Sequence, residues 1–295
     1  EGKPLDEEWN SAHIPAEDAG LRVIPLMFHL LTNPQIEKEL GHRLKQRRLE
    51  LNLSQAEVAE KSGLGRRTIT AIENGEGGRI VLWSDVVTAF AGRIEAQGGA
   101  QGGNGGNVEV SGKERLGFEG RVDTTAAKGE TGNLLLDPTD ITISNAANSN
   151  VTGTSSVTGT AATSNLNVTT LQTQLASTSV TVSTSSAFAG NGDITVQDAV
   201  SWASGNSLTL MANRHVSVNA AITNTGSGGF TVNAGQSAGV GAITVNAPIT
   251  MNSGAVTLNN TSGTGGAAIN QEVRTSGTFT ATPSGPSGAF TMDAT

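Results

Sequence analysis

Between Ile194 and Leu258 the sequence repeats a short unit in which two apolar residues flank a hydroxyl. The units are Ile194-Thr195-Val196, Leu208-Thr209-Leu210, Val216-Ser217-Val218, Phe230-Thr231-Val232, Ile243-Thr244-Val245 and Val256-Thr257-Leu258. Successive side chains of a strand point to opposite faces. Each unit therefore offers two apolar side chains to one face and a hydroxyl to the other. Ile194 precedes Val216 by 22 positions, and Leu208 precedes Phe230 by the same 22. Two interleaved series with one period describe a coil with at least two strands per turn. The period then loosens to 27 positions from Val216 to Ile243, with residues 235–241 read as an inserted loop. Such periods belong to solenoids, in which each coil buries its apolar face only against its neighbours. The predicted inward set is Ile194, Val196, Leu208, Leu210, Val216, Val218, Phe230 and Val232, with the Thr and Ser between them outward.

Composition agrees with a repetitive β architecture. Charged residues make up 15% of the 295-residue chain, aromatics 3%, and Tyr is absent, which argues against a conventional enzyme core with a carved pocket. There is no Cys, so neither a disulfide framework nor a thiolate metal site is possible. The formal net charge of -8 hides an asymmetry. Residues 40–70 hold Arg43, Lys45, Arg47, Arg48, Lys61, Arg66 and Arg67 against Glu50, Glu57 and Glu60, seven minus three, or +4. Beyond Ile141 the only charged residues are Asp193, Asp198, Arg214, Glu272, Arg274 and Asp293. No apolar run approaches the ~20 residues of a membrane-spanning helix.

Three regions separate. Residues 1–32 mix charge, Pro and apolar residues without a period and are expected to be irregular. Residues 33–76 read as helices. Asn33 before Pro34 suits a helix start, and Ile36, Leu40, Leu44 and Leu51 recur at helical spacing. Ser54 with Glu57 makes a capping box that opens a second, short helix ending near Gly63. A third helix is expected after Gly65, presenting Ile69 and Ile72, with Asn74-Gly75 as its end. From residue 77 to 295 the period is strand-like. The predicted fold is mainly β, a right-handed parallel β-helix (solenoid) preceded by a small all-α helix-turn-helix module.

The stretch LGHRLKQRRLELNLSQAEVAEKSGLGRRTITAIENGE, residues 40–76, resembles the lambda-repressor-like helix-turn-helix family. The resemblance implies that the helix after Ser54 positions the unit and that residues 66–73 form the recognition helix in the DNA major groove. It further implies that Gln55 contacts a backbone phosphate, and that Arg66, Arg67, Thr68 and Thr70 lie near base edges or phosphates. Members of that family continue with further helices, whereas here β-type sequence follows directly.

A second resemblance rests on GGRIVLWSD and on GGAQGGNGGNVEVSGKERLGFEGRVDTTAAKGETGNLLLDPTDITI, and covers residues 77–143 most closely. These segments look like the filamentous-haemagglutinin-like exoproteins of two-partner secretion systems. The resemblance implies a long β-helical fibre with an adhesive role. It also implies an outer-membrane transporter and a host-surface receptor as partners, and a secreted or cell-surface location. No signal peptide is recognisable, so the expectation for the chain complete as given is cytoplasmic.

No chemistry-bearing constellation stands out. The Gly-rich tract at 98–106 is followed by the strand Val108-Glu109-Val110 rather than by a helix, so it reads as turns, not a phosphate cradle. Gly190-Asn191-Gly192-Asp193 reads as a solenoid turn. His13, His29, His42 and His215 have no helix-spaced metal partner. Asp123, Asp137 and Asp140 read as turn caps rather than an acid–base pair, and Trp83 and Trp202 as packing residues. The expected function is a structural and adhesive fibre segment, with no catalysis and no cofactor. The alternative is a DNA-binding transcriptional regulator acting through residues 33–76, with weak DNA binding. Self-association through an uncapped solenoid end is expected in either case.

Overall fold

The computed structural model describes residues 33–62, 78–100, 103–148, 163–185, 190–236, 240–262, 265–283 and 290–292. Helix α1 spans Asn33–Glu50 and helix α2 spans Gln55–Ser62. The expected irregular segment 1–32 and the third helix after Gly65 lie outside the described residues.

From Arg79 onward the chain winds as a parallel β-solenoid. All the strand pairs that form its walls are parallel. The first wall is an eight-stranded sheet that takes one strand from each coil, from Arg79–Ser84 at one edge to Phe279–Pro283 at the other. The second wall has seven strands and includes Asp140–Ser144, Ile194–Val196, Val216–Val218 and Ile243–Val245. The third is Val200–Trp202, Ile222–Asn224, Ile249–Met251 and Val273–Thr275. The first two coils add short pairs of their own, Val87–Phe90 with Arg115–Phe118 and Arg93–Glu95 with Arg121–Asp123. A full turn therefore has three strands.

The register matches the sequence period. Ile194 lies beside Val216, Leu208 beside Phe230, and Val216 beside Ile243. The eight residues predicted to face inward are all 0% exposed, while Thr195, Thr209, Ser217 and Thr231 between them are half-buried on the outside. Stacked coils give continuous apolar columns, such as Val110, Leu136, Val182, Leu210, Val232 and Leu258. Each such side chain contributes about 1.5–3 kcal/mol by leaving water. That burial, repeated at every coil, replaces the single central core of a globular domain.

The corners are closed by side-chain amides. Asn224 donates to the Gly228 carbonyl at 2.8 Å, and Asn260 donates to the Gly241 carbonyl at 2.8 Å and the Gly266 carbonyl at 3.1 Å. Both amides are 1% exposed, so they satisfy backbone groups that no water reaches. Backbones also approach closely here. A Cβ on Gly265 would fall 1.2 Å from the Gly241 carbonyl oxygen, which explains a glycine at that stacked position. Trp202 packs as expected, at 7% exposure, with its indole N–H donating to the Asn206 carbonyl at 2.8 Å. Trp83 departs from the expectation and is 52% exposed, because it faces outward from the first coil.

One break in the winding was not foreseen. After Asp140–Ser144 the chain returns to lay Thr163–Asn167 on that strand's N-terminal-coil side, then forms a third helix, α3, over Val168–Leu175. The inserted strand splits the second wall, and the Leu116 amide is satisfied by the Ser164 hydroxyl at 3.0 Å instead of by a ladder partner. Helix α3 takes the place of a strand in the third wall. An α-helix is about 10 Å across, roughly two strand spacings of ~4.8 Å. Its side chains imitate the missing ladder. Gln174, 1% exposed, accepts from the Val122 amide at 2.9 Å and donates to the Gly120 carbonyl at 3.0 Å. On the opposite side, Ser204 and Asn206 donate to the Leu175 carbonyl. Asn167 caps the helix by accepting from the Thr169 amide at 2.8 Å.

Candidate nucleic-acid interface

The helical segment carries the chain's densest positive charge, and its geometry follows from local sequence rules. Helix α1 ends at Glu50, where the Leu51 amide donates to the Arg47 carbonyl at 3.1 Å and the Leu53 amide to the Arg48 carbonyl at 3.0 Å. Asn52 takes a φ of 53°, the left-handed turn that Asn tolerates. The capping box is present as read from sequence. The Ser54 amide donates to the Glu57 carboxylate at 2.7 Å, and the Glu57 amide donates to the Ser54 hydroxyl at 3.2 Å. The Glu57 carboxylate is held below its usual range, first by the hydrogen bond from the Ser54 amide and then by one from the Ser54 hydroxyl. Arg48 ties the two helices together, its guanidinium donating to the Leu53 carbonyl at 2.9 Å.

An open groove of about 620 Å³ lies between the helices, lined by Lys45, Arg48, Ser54, Gln55 and Ala56. Gln55 opens α2, where the first amides of a helix point outward and favour an anion. The groove therefore combines two cations, a hydroxyl, a side-chain amide and a helix N-terminus. That set can hold a backbone phosphate. Lys45 and Arg48 were not singled out from the sequence. Their spacing of three along α1 places them on one face and was the available signal. Arg47 faces elsewhere and pairs with Glu50 at 3.0 Å. Of the five residues proposed from resemblance, Gln55 is at the groove. Arg66, Arg67, Thr68 and Thr70 lie outside the described residues.

Among its described residues the solenoid groups its ionisable side chains into turn caps and ion pairs. Among the described residues no three His, Cys, Asp or Glu side chains are grouped to hold a metal. Asp140 caps the turn that follows Gly190, accepting from the amides of Asn191, Gly192 and Asp193 at 3.3, 2.7 and 2.7 Å. Gly192 in that turn has a φ of +81°. Asp193 accepts both arms of the Arg214 guanidinium, at 2.9 and 2.6 Å, and the His215 amide at 3.1 Å. Burial opposes its charge, but those bonds and the nearby cations together hold the Asp193 carboxyl below the usual range. Asp123 caps Thr125 through its amide and hydroxyl, at 3.1 and 2.7 Å. Asp137 is the exception to the cap reading. Burial, then the neighbouring Glu109 charge, pushes its carboxyl up, and its Oδ1 is buried without a partner.

Comparison with curated proteins finds no match to this chain. Residues 44–78 match the helix-turn-helix family, a span that takes in the last turns of α1, all of α2 and the groove residues Lys45, Arg48, Ser54, Gln55 and Ala56, and marks a lambda-repressor-like helix-turn-helix domain there.

Proposed function

We propose that the chain is a non-catalytic structural segment of a secreted or surface-displayed β-helical exoprotein of the filamentous-haemagglutinin-like kind, with an adhesive role. The observation that carries this reading is the character of the solenoid's outer wall. Along the first wall the outward positions of successive coils are Thr181, Thr209, Thr231, Thr257 and Thr280, an uncharged hydroxyl rank on a stiff rod. Such a surface suits display and repeated weak contacts better than catalysis, which needs converging groups in a pocket. The resemblance of residues 77–143 supplies the finer part of the proposal, including a transporter and a host-surface receptor as partners. The test is protease shaving of intact native cells, with an antibody to residues 190–260. Loss of signal on shaving is expected, and a signal released only by lysis would overturn the reading.

A second reading is DNA binding through the helical domain. The family match at residues 44–78 and the groove lined by Lys45, Arg48 and Gln55 favour it. Neutralised phosphates release counterions, so affinity should fall steeply with salt. Binding to duplex DNA that is indifferent to salt, or absent at low salt, would remove this reading.

A further inference from the structure

Among the described residues, no strand pairs with the outer edge of Arg79–Ser84 in the first wall. In the second coil the inward residues at matching register are sealed, with Val108 and Val110 at 1% and 0% exposure. Ile80 and Leu82 are each 37% exposed, and Trp83 is 52% exposed. An apolar strand with unpaired backbone is a template for another strand.

Register shows which backbone groups are free. The N–H and C=O of a strand residue lie on the same edge, and the edge alternates along the chain. The Gly78 carbonyl accepts from the Asn107 amide at 2.8 Å, and the Ser84 carbonyl accepts from the Lys113 amide at 3.1 Å. Even-numbered residues therefore face the second coil. Arg79, Val81 and Trp83 turn their peptide groups away from it.

We infer that this edge is a self-association surface whose partner is the same strand of a second copy, antiparallel, with Val81 on the two-fold axis. A two-fold axis normal to the wall keeps inward side chains inward. Val81 then meets itself, Ile80 meets Leu82 of the second copy, and Arg79 meets its Trp83. Each outward-facing peptide falls into a hydrogen-bonded pair, and each even-numbered apolar residue meets another. Arg79 remains 62% exposed while holding Glu109 at 2.8 Å, so its guanidinium can also lie over the indole. Moving the axis to Leu82 would set Ile80 against Ser84 and leave Arg79 facing Asp85, beyond the strand. The contact continues one already present inside the molecule. Ile80 and Leu82 lie over Val108 and Val110, and the second copy adds the next layer of the same apolar columns. The interface is isologous and therefore closed, giving a dimer and not a filament. One consequence rests on the DNA-binding reading, although the dimer does not. Residue 78 joins each helical domain to this strand, so two such domains are brought to one junction.

The chain has no cysteine, so Val81→Cys is a clean reporter. Antiparallel hydrogen-bonded neighbours sit about 5.5 Å apart at Cα, within the ~4.4–6.8 Å that a disulfide accepts. Val240→Cys is the control, because Val240 is 53% exposed in a distant corner loop. On mild oxidation of the full chain, Val81→Cys should form a covalent dimer at least about tenfold faster than the control, through its raised effective concentration. Sedimentation equilibrium of the wild type should show monomer and dimer only. Val81→Pro removes an N–H that points outward, so the coil should fold normally while the dimer weakens. Equal oxidation rates for the two variants would overturn the proposal. So would a wild type that stays monomeric, as when the chain's own N-terminal residues cover the edge. Species that grow without limit would indicate head-to-tail stacking and would overturn it equally.

Discussion

Single side chains settle whether a coil closes. Val218 is 0% exposed and stacked between Val196 and Val245. Val218→Asp should lower the melting temperature sharply, because an unpaired buried carboxylate costs roughly 3–5 kcal/mol. An unchanged melting temperature would contradict its burial. Gln174 works through its amide rather than its bulk. Gln174→Leu keeps most of the volume but leaves the Val122 amide and the Gly120 carbonyl unpaired, at a cost of about 1–3 kcal/mol. A Leu variant as stable as wild type would mean that water or a shifted strand restores both bonds. Asp137 and Asp193 are shifted in opposite directions and predict opposite pH effects. Asp137 is raised by burial and by Glu109, so its contribution is present at low pH and lost as pH rises through its folded value. Asp137→Asn should therefore raise the melting temperature at neutral pH and have little effect near pH 3. Asp193 is depressed, so its ion pair with Arg214 supports the fold above about pH 4, the unfolded carboxyl range, and fades as pH falls through its lower folded value. Arg214→Ala should thus be more damaging at neutral pH than in acid, as a pair of thermal melts would show.

Elements differ in how openly the sequence announces them. The first and second walls were legible because their strands alternate Val, Ile, Leu or Phe with Thr or Ser at a repeated 22-residue offset. The third wall obeys the same offsets, Val200 to Ile222 and then Ile249. Its second inward position is Trp202, Asn224 and Met251 in turn, so no apolar repeat marks it. The returning strand Thr163–Asn167 has Leu166 as its one large apolar residue, and α3 is built from Thr, Gln, Val and Leu without Gly or charge at its ends. Both are fixed by the coils around them, a tertiary preference that local pattern does not record. The helical domain was legible for the opposite reason, since a capping box is a purely local device. Ser54→Ala should cost about 1 kcal/mol of helix stability, and should reduce the helical signal in circular dichroism without moving the solenoid's melt. Of the proposed DNA-contacting residues, Gln55 rests on the resemblance to the lambda-repressor-like family and not on the capping box, and it lines the groove. Lys45 and Arg48 were passed over because their convergence depends on how α1 and α2 pack.

At the scale of the whole molecule, the two parts have opposite electrostatic characters. Residues 40–70 carry +4 in a chain whose formal net charge is -8. The remainder is net acidic, so DNA binding is expected to come from the small helical unit. Such units bury little surface, and helix-turn-helix proteins gain affinity by placing two recognition helices on half-sites one helical turn apart. A single unit should bind DNA without sequence preference, with a Kd in the range of roughly 10⁻⁴–10⁻⁶ M. If the open edge at Arg79–Ser84 pairs two copies, affinity should follow the dimer. Val81→Pro lies outside the matched domain and alters no charge, yet it should weaken binding toward that single-unit range. Lys45→Ala with Arg48→Ala should instead lower affinity equally for every sequence and flatten the salt dependence, because each removes a cation that releases a counterion. Arg66→Ala with Arg67→Ala should abolish the remainder. Fluorescence anisotropy with random and palindromic duplexes at two salt concentrations distinguishes these outcomes. Nanomolar, sequence-selective binding that survives Val81→Pro would show that the helical domain recognises DNA unaided, and would put the regulator reading ahead of the fibre.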